Sequence, residues 1–292
     1  MRPEISAHFR SKLRDYCSLT KPEVNLLVLM TTSAGYYVAA GGPLRIIGLI
    51  HTLIGTLLVA SGTATLNQWM ERFWDGQMRR TSGRPLPSGR LNSREAFLFG
   101  ILLSISGGLY LAWKVNWPAA ALAIATLLSY LLVYTPLKRK TPLCTLIGAI
   151  PGAMPVLIGS AGASSSIGEQ AWFLFAIVFL WQFPHFLAIA LMYREDYARA
   201  GYKMLPEFDR DCRFTRAEIL TLTLILIFIS MLVPVGSGSA LYLCGALLAG
   251  CFFFYYVVKL ARSASRVLAS HVLHASVLYL PIILGMIIAL KR

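Results

Sequence analysis

The chain has 292 residues, of which 57% are hydrophobic and only 14% are charged, and its mean hydropathy is +0.63. Because a soluble domain carries about 25% charged residues, this composition excludes an ordinary soluble protein. The net charge of +14 would suggest nucleic-acid binding if it were evenly spread, but the basic residues are confined to short segments between apolar runs. The cysteines show no pairing or spacing with histidine that is typical of a metal site.

Nine apolar runs follow one another, each close to the roughly 20 residues that a helix needs to cross a bilayer. They are 24–40, 46–70, 95–113, 117–135, 143–161, 171–193, 217–235, 239–258 and 272–290. The strands of a membrane barrel would alternate apolar and polar residues, whereas these runs are continuous. The sequence therefore predicts an all-α fold, a polytopic bundle of nine transmembrane helices. A basic cytoplasmic segment, 1–23, would precede a single intramembrane domain, 24–292.

The basic residues alternate between the two sides of this bundle. Of the 27 Lys and Arg residues, 23 lie in the N-terminal segment and in the loops after helices 2, 4, 6 and 8. The other side has only Arg45, Lys114, Lys291 and Arg292. The positive-inside rule then places the N-terminus and these loops in the cytoplasm and the C-terminus outside. We expect a multi-pass protein of the cell inner membrane with its active site facing the cytoplasm.

Three polar residues mark the end of the second helix. Asn67, Glu71 and Asp75 are spaced at i, i+4 and i+8, so they share one helical face. Two carboxylates four residues apart repel each other unless a cation lies between them, and Mg²⁺ prefers hard oxygen ligands together with phosphate groups. We therefore predict that these three residues are catalytic and bind Mg²⁺; the alternative is a solvated loop.

The loop that follows is rich in arginine. Arg79, Arg80 and Arg84 lie within 13 residues of Glu71. Arginine is suited to bidentate contacts with phosphate oxygens. These residues are predicted to bind a diphosphate, although an ordinary basic loop would also contain them.

A second polar segment follows helix 6. Asp196 is a candidate ligand for a second metal ion, and Lys203 is a candidate catalytic residue that contacts a diphosphate oxygen. His185 lies about two turns inside the helix and is a candidate for contact with the acceptor substrate. The alternatives are a solvated loop for the first two residues and, for His185, a hydrogen bond between helices.

At these positions the sequence resembles the UbiA superfamily of intramembrane prenyltransferases, whose first motif is Asn-x-x-x-Asp-x-x-x-Asp, and in particular its haem-prenylating branch. The resemblance lies in Lys21-Pro22, Asn67 through Arg90, Tyr134 through Arg139, Trp181 through Phe186, and Asp196 through Pro206. The most specific stretches are Arg80-Thr81 followed by Arg84-Pro85-Leu86-Pro87, and Asp196-Tyr197 followed by Ala200-Gly201 and Met204-Leu205-Pro206.

The resemblance implies a cytoplasm-facing cavity in which Mg²⁺ holds a prenyl diphosphate. Farnesyl diphosphate would be the donor and a vinyl group of haem b the acceptor, which gives haem O. The resemblance adds Arg72, Lys138 and Arg139 to the diphosphate-binding residues and makes haem the acceptor near His185. Implied partners are the lipid bilayer and haem A synthase or terminal oxidase assembly, with no nucleic acid.

Two departures from the superfamily pattern bear on the metal and the substrate. Glu71 stands where the first motif has Asp, which keeps the charge. Ala200 stands where the second motif has Asp, which leaves open whether one or two metal ions bind and favours the haem branch over the benzoate-prenylating branch.

Two other functions remain open from the sequence. One is a UbiA-type polyprenyltransferase that acts on an aromatic or quinone precursor. The other is a haem transporter or oxidase-assembly protein without catalysis. A transporter is expected to carry buried charges through the depth of the membrane, whereas the charges here cluster on one side.

Overall fold

The computed structural model describes residues 2–164, 167–233 and 239–290, and it describes the side chains of these residues except 2–10 and 239. Within these ranges every regular element is helical. The helices are α1 (Arg2–Leu19), α2 (Pro22–Ala39), α3 (Ile46–Asp75), α4 (Ser93–Lys114), α5 (Trp117–Leu128), a π-helical segment (Ser129–Tyr134), α6 (Thr135–Leu137), α7 (Cys144–Ala163), α8 (Glu169–Met192), α9 (Arg194–Arg199), α10 (Leu205–Phe208), α11 (Arg213–Met231), α12 (Ser239–Arg262) and α13 (Arg266–Leu290).

Eight helical spans in the described residues are long and apolar enough to cross a membrane. They are α3, α4, the continuous unit Trp117–Leu137, α7, α8, α11, α12 and α13. The first predicted run, 24–40, corresponds to α2, which has 18 residues, contains several polar side chains, and packs mainly against α7. The prediction of an all-α, multi-pass membrane protein is confirmed, with eight spans that meet the criteria and α2 as a less apolar ninth helix of the described bundle. Lys291 and Arg292, predicted to lie on the outer side, are outside the described residues.

Small residues allow neighbouring helices to approach closely. A methyl group added to Gly62 of α3 would collide with Ser104 of α4, and one added to Gly159 of α7 would collide with the carbonyl oxygen of Thr32 in α2. Within a bilayer the hydrophobic effect does little to hold helices together, so close packing of this kind is a main source of their association. Gly55, one heptad before Gly62, likewise packs directly against Leu111 of α4, so both glycines of α3 serve helix packing.

The unit Trp117–Leu137 changes from α-helix to π-helix before its C-terminal end. Pro136 has no backbone N–H and its ring disfavours a regular turn before it, which accounts for the widened segment. The Tyr130 carbonyl accepts hydrogen bonds from both the backbone N–H and the hydroxyl of Thr135, the latter at 2.9 Å, across the five-residue step of a π-helix. As a result, Tyr130, Tyr134 and Lys138 all line the same cavity.

The N-terminal helix α1 packs against the loop that follows α3. Leu19 is fully buried beside Leu86 and Leu91. The Arg90 guanidinium lies 3.0 Å from the Asp15 carboxylate, which adds a polar contact at the exposed edge. These contacts fix the residues just before α2 against the end of α3, and so they position one wall of the site described below.

We predict that Gly159→Ala destabilises the protein, because the added methyl group must displace the Thr32 backbone. Overpacking of this kind costs about 1–3 kcal/mol. Gly285→Ala is the matched control, since a methyl group there meets nothing within 4 Å. The measurement is the temperature at which half of the detergent-solubilised protein stays monodisperse after heating. Equal temperatures for both variants would contradict the proposed α2–α7 contact.

Candidate active site

The polar face at the end of α3 is buried inside one cavity. Asn67 is 1% exposed, Glu71 is 5% exposed and Asp75 is 1% exposed. All three side chains line a cavity of about 250 Å³. Buried carboxylates are unstable unless they are paired, so the surroundings of these residues determine whether this end of the bundle can fold.

Each of the two carboxylates forms an ion pair with a cation from another segment. Lys138 Nζ donates to Glu71 Oε1 at 2.8 Å, and Arg84 Nη1 donates to Asp75 Oδ2 at 2.7 Å. Burial alone would lower the pKa of Lys138, but the Glu71 carboxylate raises it well above its ordinary value, so Lys138 is charged at neutral pH. The pairs offset the cost of burying the carboxylates and join α3 to the segment after α6.

Asn67 also accepts a hydrogen bond from a basic side chain. Lys21 Nζ donates to Asn67 Oδ1 at 3.1 Å, and the Asn67 amide donates to Thr135 Oγ1 at 3.2 Å. These two contacts orient the amide so that its oxygen faces the cavity. All three polar residues of α3 therefore present an oxygen to a separate basic side chain.

Lys21 lines the cavity although it is not among the site residues predicted from the sequence. Its backbone is left-handed, with φ of 51°, a conformation that is strained for a residue other than glycine and is often found at functional sites. Burial and the nearby Arg84 guanidinium lower the pKa of Lys21 to about 7. The sequence feature that could have identified Lys21 is the Lys-Pro pair before the first apolar run, because Pro22 fixes where α2 begins.

The second polar segment holds neighbouring loops together. Asp196 accepts hydrogen bonds from the Arg80 backbone N–H at 3.3 Å and from Arg199 Nη2 at 2.5 Å. Ala200, at the second position of the expected acidic motif, is 2% exposed and packs beside Met78. The arrangement gives no support to the predicted metal role of Asp196.

Four tyrosines line the cavity and were not identified from the sequence as site residues. They are Tyr130, Tyr134, Tyr197 and Tyr202. Tyr202 follows Gly201, whose positive φ of 68° turns the chain so that the Lys203 N–H bonds to the Lys138 carbonyl at 2.7 Å. Burial raises the pKa of Tyr202, so its hydroxyl, which faces the Glu71 carboxylate, keeps its proton at neutral pH. In the sequence, the four-residue spacing of Tyr130 and Tyr134 near the end of the fourth apolar run could have indicated that they share a helical face.

The structure brings together part of the predicted diphosphate-binding set. Among the described residues, the predicted side chains that line the cavity are Asn67, Glu71, Asp75, Arg80, Arg84 and Lys138. Those that do not line it are Arg72, Arg79, Arg139, Asp196, His185 and Lys203. Lys203 instead forms an ion pair with Glu207 at 3.2 Å, and Arg79 is exposed. The positions of these residues therefore do not support the direct roles predicted for them.

His185 serves helix packing in this structure. Its Nδ1 lies 2.9 Å from the Ser276 hydroxyl of α13, and its ring stacks on Trp181 with centroids 4.6 Å apart. The Trp181 indole N–H donates to the Ser276 carbonyl at 2.7 Å. The geometry favours the interpretation of His185 as a hydrogen-bonding partner between α8 and α13.

The oxygen donors of α3 fit a divalent cation that is shared with a substrate. Within the described ranges, no three His, Cys, Asp or Glu side chains converge in a way that could hold a metal by themselves. Asn67, Glu71 and Asp75 instead offer two carboxylates and an amide oxygen, a set of hard donors that leaves positions for phosphate oxygens. The chemistry of this set suits Mg²⁺, and the cations around it suit a bound anion.

The chain has known relatives. The UbiA prenyltransferase family matches residues 28–284. The chain belongs to this family. A UbiA protein from Solibacter usitatus, named protoheme IX farnesyltransferase, is 50% identical over 287 residues, which cover 94% of this chain and 98% of that protein. The protein of the same name from Koribacter versatilis is 41% identical, with 94% and 92% covered.

Several solved structures share the fold. A digeranylgeranylglyceryl phosphate synthase superposes with a TM-score of 0.76 at 19% identity, covering 96% of this chain and 99% of that one. A UbiA homologue from Archaeoglobus fulgidus, bound to GPP and Mg²⁺, has a TM-score of 0.70 at 16% identity, with 94% and 99% covered. At these identities the likeness establishes the UbiA fold alone.

We predict that Lys138→Met destabilises the protein by about 3 kcal/mol, because it leaves the Glu71 carboxylate buried without a partner. The double variant Lys138→Met with Glu71→Gln should recover most of that loss. The measurement is the free energy of unfolding of the solubilised protein. Lys203→Met is the comparison, since its ion pair with Glu207 is more exposed and should contribute less than about 1 kcal/mol. A double variant as unstable as the single one would refute the pairing argument.

Proposed function

We propose that the protein transfers the farnesyl group of farnesyl diphosphate to a vinyl group of haem b and releases diphosphate, giving haem O. The observation that carries the transfer chemistry is that the three oxygen donors of α3 each face a separate basic side chain in one buried cavity. The choice of haem as acceptor is supported by 50% identity, over nearly the full length, to a protoheme IX farnesyltransferase.

The cations that now pair with α3 are placed to bind a diphosphate. Lys21, Arg84 and Lys138 lie at the motif oxygens, and Arg80 lines the same cavity. A diphosphate that enters between them gains charge-assisted hydrogen bonds, which are stronger than neutral ones. The carboxylates that lose these cations need another positive partner, and Mg²⁺ held by Asn67, Glu71 and Asp75 would supply it while it neutralises charge on the leaving group. The Archaeoglobus fulgidus homologue bound to GPP and Mg²⁺ supports this part of the proposal.

The chemical step breaks the bond between C1 of the farnesyl chain and the diphosphate oxygen, and the electron pair leaves with the diphosphate. Arg84 and Lys138 stabilise the charge that develops on the leaving oxygens, because their positions are fixed before the reaction. The rings of the cavity tyrosines can stabilise the allylic cation through their faces. The vinyl carbon then bonds to C1, and water adds its oxygen to the resulting haem cation and releases a proton.

The remaining parts of the proposal concern location and organisation. The cavity lies at the end of the bundle where the basic segments meet, which supports a site facing the cytoplasm in a protein of the inner membrane. Residues 24–292 would form one intramembrane domain and residues 1–23 a basic segment that packs on it. Haem A synthase and terminal oxidase assembly are the proposed consumers of the product.

We expect Asp75→Asn to lower haem O formation at least about 100-fold, because it removes a metal ligand and the partner of Arg84. The measurement is haem O formed from haem b and farnesyl diphosphate by purified protein in lipid nanodiscs, with Mg²⁺ present or chelated. Asp211→Asn is the matched control, since Asp211 is largely exposed and lies outside the cavity. If Asp75→Asn forms haem O at the normal rate, the metal site is misassigned; if the unmodified protein forms none, the proposed reaction is wrong.

A second expectation concerns Lys21. Lys21→Met should raise the KM for farnesyl diphosphate by about tenfold, because a charged hydrogen bond to the diphosphate is lost. The KM for haem b should change little. Lys12→Met removes the same charge from the exposed part of α1 and serves as the control. Equal KM values for the two variants would remove Lys21 from the diphosphate site.

A further inference from the structure

A second cavity, called here the basic groove, lies on the other side of the end of α3. Its volume is about 610 Å³. The side chains that characterise it are Arg72, Arg139 and Lys140, together with the rings of Trp69, Phe73 and Trp74. Glu71 and Tyr202 line both the basic groove and the cavity of the candidate active site, so the two spaces adjoin at these residues.

The charges of the basic groove are not balanced within the protein. Among the described residues, neither Arg72, Arg139 nor Lys140 has a carboxylate within 4.0 Å. The one acidic side chain on its wall, Glu71, is already paired with Lys138. Three cations without a counter-charge attract an anion from outside the chain. The proteins that bind carboxylates and phosphates commonly use arginine for this purpose.

The rings of the basic groove hold its arginines and also offer a flat apolar surface. The Arg72 guanidinium lies 4.3 Å from the centroid of the Phe73 ring and 5.0 Å from that of Trp69. The Arg139 guanidinium lies 4.3 Å from the Trp74 centroid. Phe73 is 67% exposed, so much of this aromatic surface is open to a ligand. A ligand that satisfies both features is planar and apolar and carries acidic groups at one edge.

We propose that the basic groove binds the haem acceptor, with the macrocycle against the aromatic rings and the propionate carboxylates on Arg72 and Arg139. This inference rests on the proposed function, which makes haem b a substrate. In haem the vinyl groups lie away from the propionate edge. Propionates anchored on the arginines therefore direct the vinyl edge towards Glu71 and Tyr202, where the groove adjoins the cavity that would hold the farnesyl diphosphate.

The placement also accounts for the residues that the diphosphate prediction did not explain. Arg72 and Arg139 lie near the motif in sequence but outside its cavity in the fold. Arg72 is one residue from Glu71 and five residues from Asn67, so at about 3.6 residues per turn its side chain points about 100° and about 140° away from theirs around the helix axis. Two groups of cations on two sides of α3 match two anionic substrates.

The test compares haem b with its dimethyl ester, which lacks the propionate charges. Binding to protein in nanodiscs of zwitterionic lipid is followed by the haem absorption band. The unmodified protein should prefer haem b, and Arg72→Gln and Arg139→Gln should each reduce that preference by about tenfold, because each removes a charged hydrogen bond to a carboxylate. Arg72→Lys should keep part of the preference. Arg94→Gln, an exposed arginine at the start of α4, is the matched control and should keep all of it.

Measuring KM for both substrates distinguishes a failure of this inference from a failure of the proposed function. In the groove variants the KM for haem b should rise while the KM for farnesyl diphosphate stays unchanged, which also shows that the variants are folded. If these variants discriminate haem b from its ester as well as the unmodified protein does, the inference is wrong even though haem O is still formed. If they lose only a dependence on added anionic phospholipid, the basic groove binds lipid headgroups and the inference is also wrong. If the unmodified protein forms no haem O, the proposed function itself fails.

Discussion

The pairing of two buried carboxylates with cations from distant segments is the constraint on which the rest of this end of the bundle depends. Glu71 and Asp75 are almost completely buried, and an unpaired carboxylate in such a place would destabilise the fold by about 3 kcal/mol. Lys138 and Arg84 neutralise them only when the segment after α6 and the loop after α3 are both in position. The ion pairs of the site and the packing of its loops therefore form together, and neither is stable without the other.

The membrane-spanning helices form the frame that carries this site. In lipid the hydrophobic effect contributes little to helix association, so close packing must hold them together. Close approach at Gly62 and Gly159 brings α3 against α4 and α2 against α7. The π-helical segment before Pro136 then widens one turn and brings two tyrosines and Lys138 to the same wall. The polar chemistry is thus confined to one end of the bundle, where charged groups cost least to keep.

Ala200, which stands where the second motif of the superfamily has aspartate, occupies an apolar environment in this structure. Ala200 packs beside Met78 in a small apolar cluster, and Asp196 holds the Arg80 backbone and Arg199. The second motif therefore packs against the arginine loop and holds the Arg80 backbone in place. The end of α3 therefore has two chemically different faces. One presents the oxygens of Asn67, Glu71 and Asp75, and the other carries the aromatic and basic side chains of the basic groove.

The sequence by itself determined the helical membrane fold, because apolar runs of spanning length have no other stable state in a bilayer. It also determined the face shared by Asn67, Glu71 and Asp75, since helical periodicity fixes that alignment. Only the tertiary structure decided which cations reach that face. Lys21 is 46 residues from Asn67 and Lys138 is 67 from Glu71, while the nearby Arg72 faces away. Contacts between distant segments depend on how helices pack and where they end, and neither local periodicity nor charge counting encodes that geometry.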